Sequence, residues 1–181
     1  DARVGARRLS RREARRYAAD MASTLARLHD LHRAEAAGLA ETYPSATVVA
    51  ESAGADPARW RFSRGHPVRV RLGLGRVASA VEFDASSVVL RDERVDDLRS
   101  RARSIESAPV TIDVSLGVGI VGRGELARAL ARSILVQAAR LVPPDEHRVR
   151  VGDSATTEIG WIEALPHALG APARHPAVFA D

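Results

Sequence analysis

The clearest hydrophobic pattern of the chain follows Pro109 and changes its period part of the way along. Residues 110–121 are apolar and rich in β-branched side chains, which predicts a buried strand. Residues 126–141 have apolar side chains at the spacing of one helix face, and Pro143 stops that helix. The pattern predicts a strand that contains most of the glycines at 117, 119 and 122, with only about two residues between Gly122 and the helix.

A second helical pattern begins near the start of the chain. Ser10 and Glu13 have the spacing of a capping box, and Tyr43-Pro44 ends the pattern, so a helix of about 32 residues would span ~48 Å. Its apolar stripe is narrow and consists of Tyr17, Met21, Leu25, Leu28 and His32. A long helix with such a stripe is expected to pack along another helix or to project from the domain.

The middle of the chain is predicted to contain short helices and strands. Ser45 could cap a short helix that ends at Gly54, although Thr47-Val48-Val49 would suit a strand. A further helical turn after Asp56-Pro57 would carry Trp60 as a core or interdomain anchor. Apolar residues alternate with arginine and glycine over residues 68–75, which predicts a half-buried strand. Strands at 77–83 and 87–90 would complete an antiparallel part, and its arginines Arg69, Arg71 and Arg76 are interpreted as a solvated face.

The remaining segments alternate between helix and strand. A helix is expected from Asp92 or Glu93, with the apolar positions Val95, Leu98, Ala102 and Ile105. A second strand of a parallel sheet is predicted at residues 147–151, and a last strand at Val178-Phe179. Between them, residues 156–165 are predicted to form a helix with Trp161 and Leu165 toward the core.

Residues 152–154 spell Gly-Asp-Ser, which is similar to a hydrolase serine motif. Glu163 and His167 have the wrong spacing to complete a catalytic triad with Ser154, so we expect Ser154 to cap a helix. No catalytic residue is therefore predicted.

Composition and charge narrow the chemistry further. The 181 residues include no cysteine, which excludes disulfides, thiolate metal sites and cysteine nucleophiles, and all 27 basic residues are arginine. Residues 1–33 hold nine arginines and four acidic residues, a net charge of +5, whereas the other 148 residues have a net charge of −1. A general nucleic-acid surface is disfavoured, because it would need basic residues spread over one face. His29 and His32 share a helix face without a third ligand, so no metal site is predicted.

Residues 117–122 match the glycines of two phosphate-binding motifs but not their other groups. In a GxGxxG dinucleotide-binding motif the glycines follow the strand, and an acidic residue lies about 20 residues further on in a second strand. Neither condition is met in this sequence. In a GxxxxGK[ST] motif, lysine and Ser/Thr would contact the phosphates and Mg²⁺, but Arg123-Gly124 stands there instead. Gly122, Arg123 and Gly124 are the phosphate candidates that remain, and no cofactor is predicted for this chain.

Four segments together resemble one known family in their order. They are residues 56–60 (DPARW), residues 68–75 (VRVRLGLG), residues 109–122 with the helix after them, and Trp161 followed by Leu165-Pro166-His167. This order resembles the first cytoplasmic domain of the type VII secretion ATPase, the EccC-like member of the FtsK/SpoIIIE family. The resemblance covers nearly the whole chain.

The resemblance implies a RecA-like α/β fold with a parallel sheet core, a small antiparallel part and a long N-terminal helix. A complete RecA-like core would need more strands than the sequence predicts, so the domain would be incomplete or its remainder would lie beyond Asp181. The resemblance also favours a helix over a strand after Ser45. Residues 1–44 would form a helical stalk and residues 45–181 a degenerate nucleotide-binding-like domain. The implied function is a non-catalytic assembly and regulatory domain of a membrane-anchored ATPase in protein secretion. ATP and Mg²⁺ would bind other domains of the parent protein, and the partners would be neighbouring ATPase domains and other subunits of the secretion complex.

Six arginines crowd the start of the long helix, namely Arg7, Arg8, Arg11, Arg12, Arg15 and Arg16. One interpretation is a solvated helix start, although the helix dipole disfavours cations there. A second is a juxtamembrane segment that meets anionic headgroups at the cytoplasmic face of the cell membrane. In the family that the sequence resembles, membrane-spanning helices come immediately before such a stalk. Binding of nucleic acid is a third interpretation.

Two alternatives from other classes stay open. The first is a nucleotide-binding ATPase domain with an atypical loop, in which Gly122, Arg123 and Gly124 contact a phosphate. Separately, Arg128 and Arg132 could act in trans on a neighbour's nucleotide. The second is a DNA-binding part of a DNA translocase, which the nearly neutral body of the chain disfavours.

Overall fold

The computed structural model describes residues 11–52, 59–60, 66–82, 84, 92–151, 161–162, 165–168 and 176–179. Within these residues the elements, in chain order, are α1 (Arg11–Thr42), α2 (Ala46–Ser52), β1 (Arg69–Ala78), α3 (Glu93–Ala102), β2 (Ser104–Asp113), α4 (Gly124–Leu141), β3 (Arg148–Val151) and β4 (Pro176–Phe179). No helix in this part of the chain is both long enough and apolar enough to cross a bilayer.

The predicted mixed α/β class is confirmed, as are the long N-terminal helix and the small antiparallel sheet. A RecA-like parallel sheet is not shown. In the described residues parallel pairing joins β3 to β4, with Arg148 opposite Pro176 and Val151 opposite Phe179. The chain divides into two compact units: unit 1 is Asp1–Gly38 with Arg76–Ala108, and unit 2 is Leu39–Gly75 with Pro109–Asp181.

Unit 1 is built on the contact between the apolar stripe of α1 and helix α3. The side chains buried in this contact are Leu28, Leu98 and Ala102, and Met21, Leu25 and Val81 pack against them. The Tyr17 hydroxyl donates to the Asp92 carboxylate, which also caps α3 by accepting from the Arg94 N–H at 2.9 Å. The predictions that α1 packs along another helix and that α3 starts after Asp92 are therefore confirmed.

The end of α3 differs from the prediction. Helix α3 stops at Ala102, where the Arg103 N–H bonds to the Ser100 carbonyl at 3.3 Å and tightens the last turn. Ile105, predicted as the next apolar position of the helix, is instead a buried residue of β2. The helical spacing of apolar residues extends past Ala102 because Ile105, near the start of β2, is also buried.

Strands β1 and β2 form the antiparallel sheet. The Val114 N–H donates to the Val68 carbonyl at 2.9 Å near one end, and the Ser79 N–H donates to the Arg103 carbonyl at 3.0 Å near the other. Between these two bonds the residue numbers rise along β1 and fall along β2, as antiparallel pairing requires. Strand β1 is continuous to Ala78, so the prediction of a separate strand at 77–83 is wrong.

The predicted burial of β1 holds only for its first part. Val68 and Val70 are buried, as the alternation predicts, but Leu72 and Leu74 are exposed. A period of two identifies one face of a strand, yet it does not show how far along the strand that face is covered.

The strand predicted at 110–121 is wrong at both ends, because β2 spans Ser104–Asp113. Asp113 Oδ1 accepts from the Ser115 N–H at 2.9 Å and from its hydroxyl at 2.6 Å, and this local turn ends the strand. Gly117 then adopts a φ of 89°, which is outside the β region. The three glycines therefore lie in a loop, residues 114–123, and the predicted short connection before α4 is wrong.

Unit 2 is organised around α4. Its core cluster is Leu135, Val149 and Ile162, with Trp161 and Leu165 packed against it, as predicted for both of those residues. The predicted α2 is also confirmed, since Ser45 Oγ accepts from the Val48 N–H at 3.4 Å. Ser10, Ser154, Glu163 and the strand predicted at 87–90 lie outside the described residues.

Candidate functional site

The phosphate candidates Gly122, Arg123 and Gly124 lie where loop 114–123 meets α4, and all three are exposed. Arg123 is extended, with φ −85° and ψ 122°, and its side chain does not cap the helix. Gly124 has a φ of 40°, and a Cβ atom there would lie 3.9 Å from Arg128 Nη2. The start of this 18-residue helix thus has N–H groups without a side-chain cap, beside arginine side chains.

The opposite end of α4 is held by two residues from distant parts of unit 2. The Trp60 N–H donates to the Arg140 carbonyl at 2.8 Å, and its indole Nε1–H donates to the Ala139 carbonyl at 3.2 Å. His167 Nε2 lies 2.8 Å from the Val142 carbonyl oxygen. Because the last carbonyls of a helix have no partner within it, these contacts satisfy groups that would otherwise need water.

Trp60 makes both of its bonds from a strained backbone conformation. Its φ is 59°, in the left-handed region that large side chains rarely adopt. The neighbouring Arg59 guanidinium lies 4.0 Å from the centre of the Trp60 ring. The side chain of Trp60 is 38% exposed, so the prediction of a core residue is wrong. Its two hydrogen bonds instead attach residues 59–60 to the end of α4.

Gln137 joins the middle of α4 to β1. Its Oε1 accepts from the Arg71 N–H at 2.8 Å, and its Nε2 donates to the Arg71 carbonyl at 2.8 Å. The same Nε2 lies 3.1 Å from the Ser133 carbonyl and 3.2 Å from its hydroxyl. The amide thus reproduces the two hydrogen bonds that a neighbouring strand would make with Arg71. Gln137 was not among the predicted site residues, although a glutamine within the apolar face of α4 is a detectable signal.

His167 is buried and neutral. Burial lowers its pKa below the usual value of 6.5, the bond to the Val142 carbonyl partly offsets that effect, and the nearby Arg59 charge lowers the pKa further. Since Nε2 faces a carbonyl, it carries the proton, and Nδ1 has no hydrogen-bond partner in the described residues. The imidazole is a structural donor at the end of α4.

Two more side chains of unit 2 carry buried polar atoms without a hydrogen-bond partner. Among the residues that the structure describes, these atoms are Arg148 Nε and Nη2 and Trp161 Nε1. A buried donor that lacks an acceptor costs about 1–3 kcal/mol, and more when it carries charge. Arg148 is therefore a source of instability rather than of binding energy in this arrangement.

The remaining predicted residues are not gathered into one place. Arg12, Arg15 and Arg16 are exposed along the first turns of α1, whereas Arg7 and Arg8 and the side chain of Arg11 lie outside the described residues. Arg69 and Arg76 are exposed, as predicted for a solvated face, and Arg76 pairs with Glu106 at 2.7 Å. Arg71 is half-buried, and its Nη1 lies 3.5 Å from the Tyr43 carbonyl. The His32 ring lies 3.4 Å from the Ala102 carbonyl, which favours a packing role.

All four segments of the resemblance contact α4 or form part of it. Trp60 bonds to its last turn, Arg71 to Gln137, and His167 to Val142 at its C-cap. Trp161 packs against the cluster that includes Leu135 of α4. The candidate site is thus a mixed α/β unit assembled on one helix, with an exposed glycine-rich loop at the start of that helix.

No protein-family model matches this chain, and a search of curated proteins found no match.

Proposed function

We propose that this chain is a non-catalytic assembly and regulatory domain of a membrane-anchored FtsK/SpoIIIE-type ATPase in type VII protein secretion. In this proposal it binds no cofactor itself, and ATP and Mg²⁺ act in other domains of the parent protein. Its partners are those neighbouring ATPase domains and other subunits of the secretion complex.

The observation that carries the proposal is the chemistry at the start of α4. A nucleotide loop places a lysine on the phosphates and a hydroxyl on Mg²⁺ directly after its last glycine. Here Arg123 and Gly124 follow Gly122, and loop 114–123 contains Ser115 as its single hydroxyl side chain, which donates to Asp113 instead. The loop therefore lacks both groups that phosphoryl transfer needs.

The contacts of α4 support an assembly role. Trp60, Gln137 and His167 each hold a different segment of unit 2 against this helix. These contacts join the segments to one helix, and we expect the joined segments to act by positioning a neighbour rather than by chemistry. The segments they hold are the ones in which the sequence resembles the family.

The start of α1 supports attachment at the cytoplasmic face of the membrane. Arg12, Arg15 and Arg16 are exposed, and an exposed arginine cluster close to a bilayer gains energy from anionic headgroups. In the proposed parent protein, spanning helices come immediately before this cluster.

A calorimetric titration of the chain with Mg·ATP tests the proposal. We expect no saturable heat, since neither a lysine nor a magnesium-binding hydroxyl follows Gly122. Saturable binding with a Kd near the micromolar range would contradict the proposal. The double variant Arg123→Lys with Gly124→Ser has the complete GxxxxGK[ST] sequence and is the matched comparison.

One observation favours a second candidate, a nucleotide-binding domain with an atypical loop. Loop 114–123 is longer than the two residues that the sequence predicted, so shortness of the connection no longer argues against a phosphate there. Gly122, Arg123 and Gly124 would then offer N–H groups and one guanidinium. Loss of a measured Mg·ATP affinity in Arg123→Gln would favour this candidate over adventitious binding.

A further inference from the structure

Loop 114–123 and the first turn of α4 expose four large apolar side chains close together in the sequence. Val121 is 102% exposed, Leu116 94%, Leu126 80% and Val118 42%. Scattered exposed leucines need no explanation, but a concentration of this kind marks an interaction site. We call these four residues, together with the exposed Arg123 and Arg132, the α4 loop surface.

The charges on this surface have one predominant sign. Residues 114–132 contain Arg123, Arg128 and Arg132 against Glu125, a formal net charge of +2. The start of α4 adds the positive end of a helix dipole, and the side chain of Arg123 does not cap it. A complementary partner would offer apolar side chains beside carboxylates.

We propose that the α4 loop surface docks an acidic amphipathic segment of a partner protein. Apolar side chains of that segment cover Leu116, Val121 and Leu126, and its carboxylates face Arg123, Arg132 and the N–H groups that begin α4. The inference rests on the proposed assembly role and names the surface and the partner chemistry through which that role is exercised.

Charge and composition disfavour the other occupants. A second copy of this chain would bring a surface of net charge +2 against another of the same sign. A lipid surface is usually met by Trp and Tyr side chains at the headgroup level, but residues 114–132 contain no aromatic residue. An acidic protein segment satisfies both the apolar and the basic parts of the surface.

The test uses two synthetic helical peptides with the same leucine stripe, one with glutamate and one with lysine at the remaining positions. Fluorescence anisotropy is expected to show saturable binding of the glutamate peptide and much weaker binding of the lysine peptide. The variant Val121→Ser with Leu126→Ser should weaken binding of the glutamate peptide at least tenfold. The variant Arg123→Glu with Arg132→Glu should reverse the preference in favour of the lysine peptide.

All four substituted side chains are exposed, so circular dichroism and the denaturation midpoint should be unchanged and loss of folding cannot imitate the result. Leu31→Ser is the matched control, because Leu31 is an exposed apolar residue on α1 in unit 1. It should leave binding of the glutamate peptide unchanged.

Three results would overturn the inference. They are equal or absent binding of the two peptides, binding to anionic vesicles without binding to the glutamate peptide, and self-association that Val121→Ser with Leu126→Ser abolishes. The Mg·ATP titration is independent of all three. Nucleotide binding with the peptide preference intact would contradict the assembly role but not the surface, whereas loss of the peptide preference alone would contradict only the surface.

Discussion

At the scale of single residues, Gln137 shows how one buried amide determines the packing of a helix against a strand. Its side chain satisfies both backbone groups of Arg71 and is itself satisfied by Ser133. Each hydrogen bond contributes only modestly to the free energy of folding, yet removal of the amide leaves a backbone donor and a backbone acceptor without their partner. The contribution of Gln137 to stability therefore depends on its hydrogen bonds more than on the volume of its side chain.

Replacing Gln137 by leucine is expected to destabilise the chain by about 2–4 kcal/mol, because leucine fills the space but leaves Arg71 N–H and C=O without a partner. Chemical denaturation measures the change. Gln137→Glu is the matched variant, since a protonated glutamic acid can accept and donate as the amide does. Its stability should recover toward acidic pH, and a cost below about 0.5 kcal/mol for leucine would contradict the assignment.

Replacing Arg148 by methionine is expected to stabilise the chain by about 1–3 kcal/mol. Arg148 Nε and Nη2 are buried without a hydrogen-bond partner in the described residues, and an apolar chain of similar length removes that cost. Denaturation midpoints of the two proteins provide the measurement. The exposed Arg132→Met should change stability by no more than about 0.5 kcal/mol, and a less stable Arg148→Met would show that the guanidinium has a partner.

At the scale of elements, α4 owes its C-terminal end to residues far away in sequence. Helix formation by itself leaves the last carbonyls without partners. Trp60 and His167 supply donors to this end, and the two segments that carry them are thereby attached to the same helix. Loss of either donor should loosen one segment without removing the helix.

The His167 contact predicts a pH dependence of stability. Its pKa is lowered in the folded protein, chiefly by burial, so the unfolded chain binds the proton more tightly. The stabilising effect of a neutral His167 is therefore complete above its usual pKa of 6.5 and is lost as the pH falls from there through the folded pKa.

Denaturation midpoints between pH 7.5 and about pH 5 should fall with decreasing pH in the wild-type chain. His167→Gln keeps a donor but cannot titrate, so it should reduce this fall. Substitution of the exposed His29 by glutamine is the matched control and should leave the fall in place. An unchanged slope in His167→Gln would contradict the assignment.

At the scale of the whole molecule, basic charge is concentrated at one end of the chain. The first 33 residues have a net charge of +5, and the other 148 a net charge of −1. A surface that attracts anionic membranes through charge should therefore depend on the start of α1 and on salt, rather than on the α/β part.

The combined variant of Arg12, Arg15 and Arg16 to glutamine should weaken binding to anionic vesicles by about two orders of magnitude, at about 1 kcal/mol for each arginine. Vesicle co-sedimentation at low and high salt measures it. The matched control changes three exposed arginines elsewhere, namely Arg27, Arg33 and Arg103, and should have a much smaller effect. Equal losses in the two variants would contradict a specific juxtamembrane role.

Local signals predicted the helices well. Helix α1 ends before Pro44 and α4 ends before Pro143, as predicted, and α3 starts at Glu93, one of its two predicted starts. For α2 the residues also suited a strand, and the helix was expected from the resemblance. Caps, prolines and the 3.6-residue period act over a few neighbouring residues, so the sequence contains them directly. The limits of β2 were missed because a β-branched run does not show where pairing stops.

Residue order predicts most of the helix limits, the mixed α/β class, the apolar stripe of α1 and the missing lysine and hydroxyl after Gly122. Contacts between distant segments account for what residue order does not predict, namely that Leu74 is exposed and that Gln137 and His167 hold α4. The physical reason is the range of the forces involved. Periods and caps depend on adjacent residues, whereas burial and hydrogen-bond partners depend on which distant segment comes to lie beside a residue.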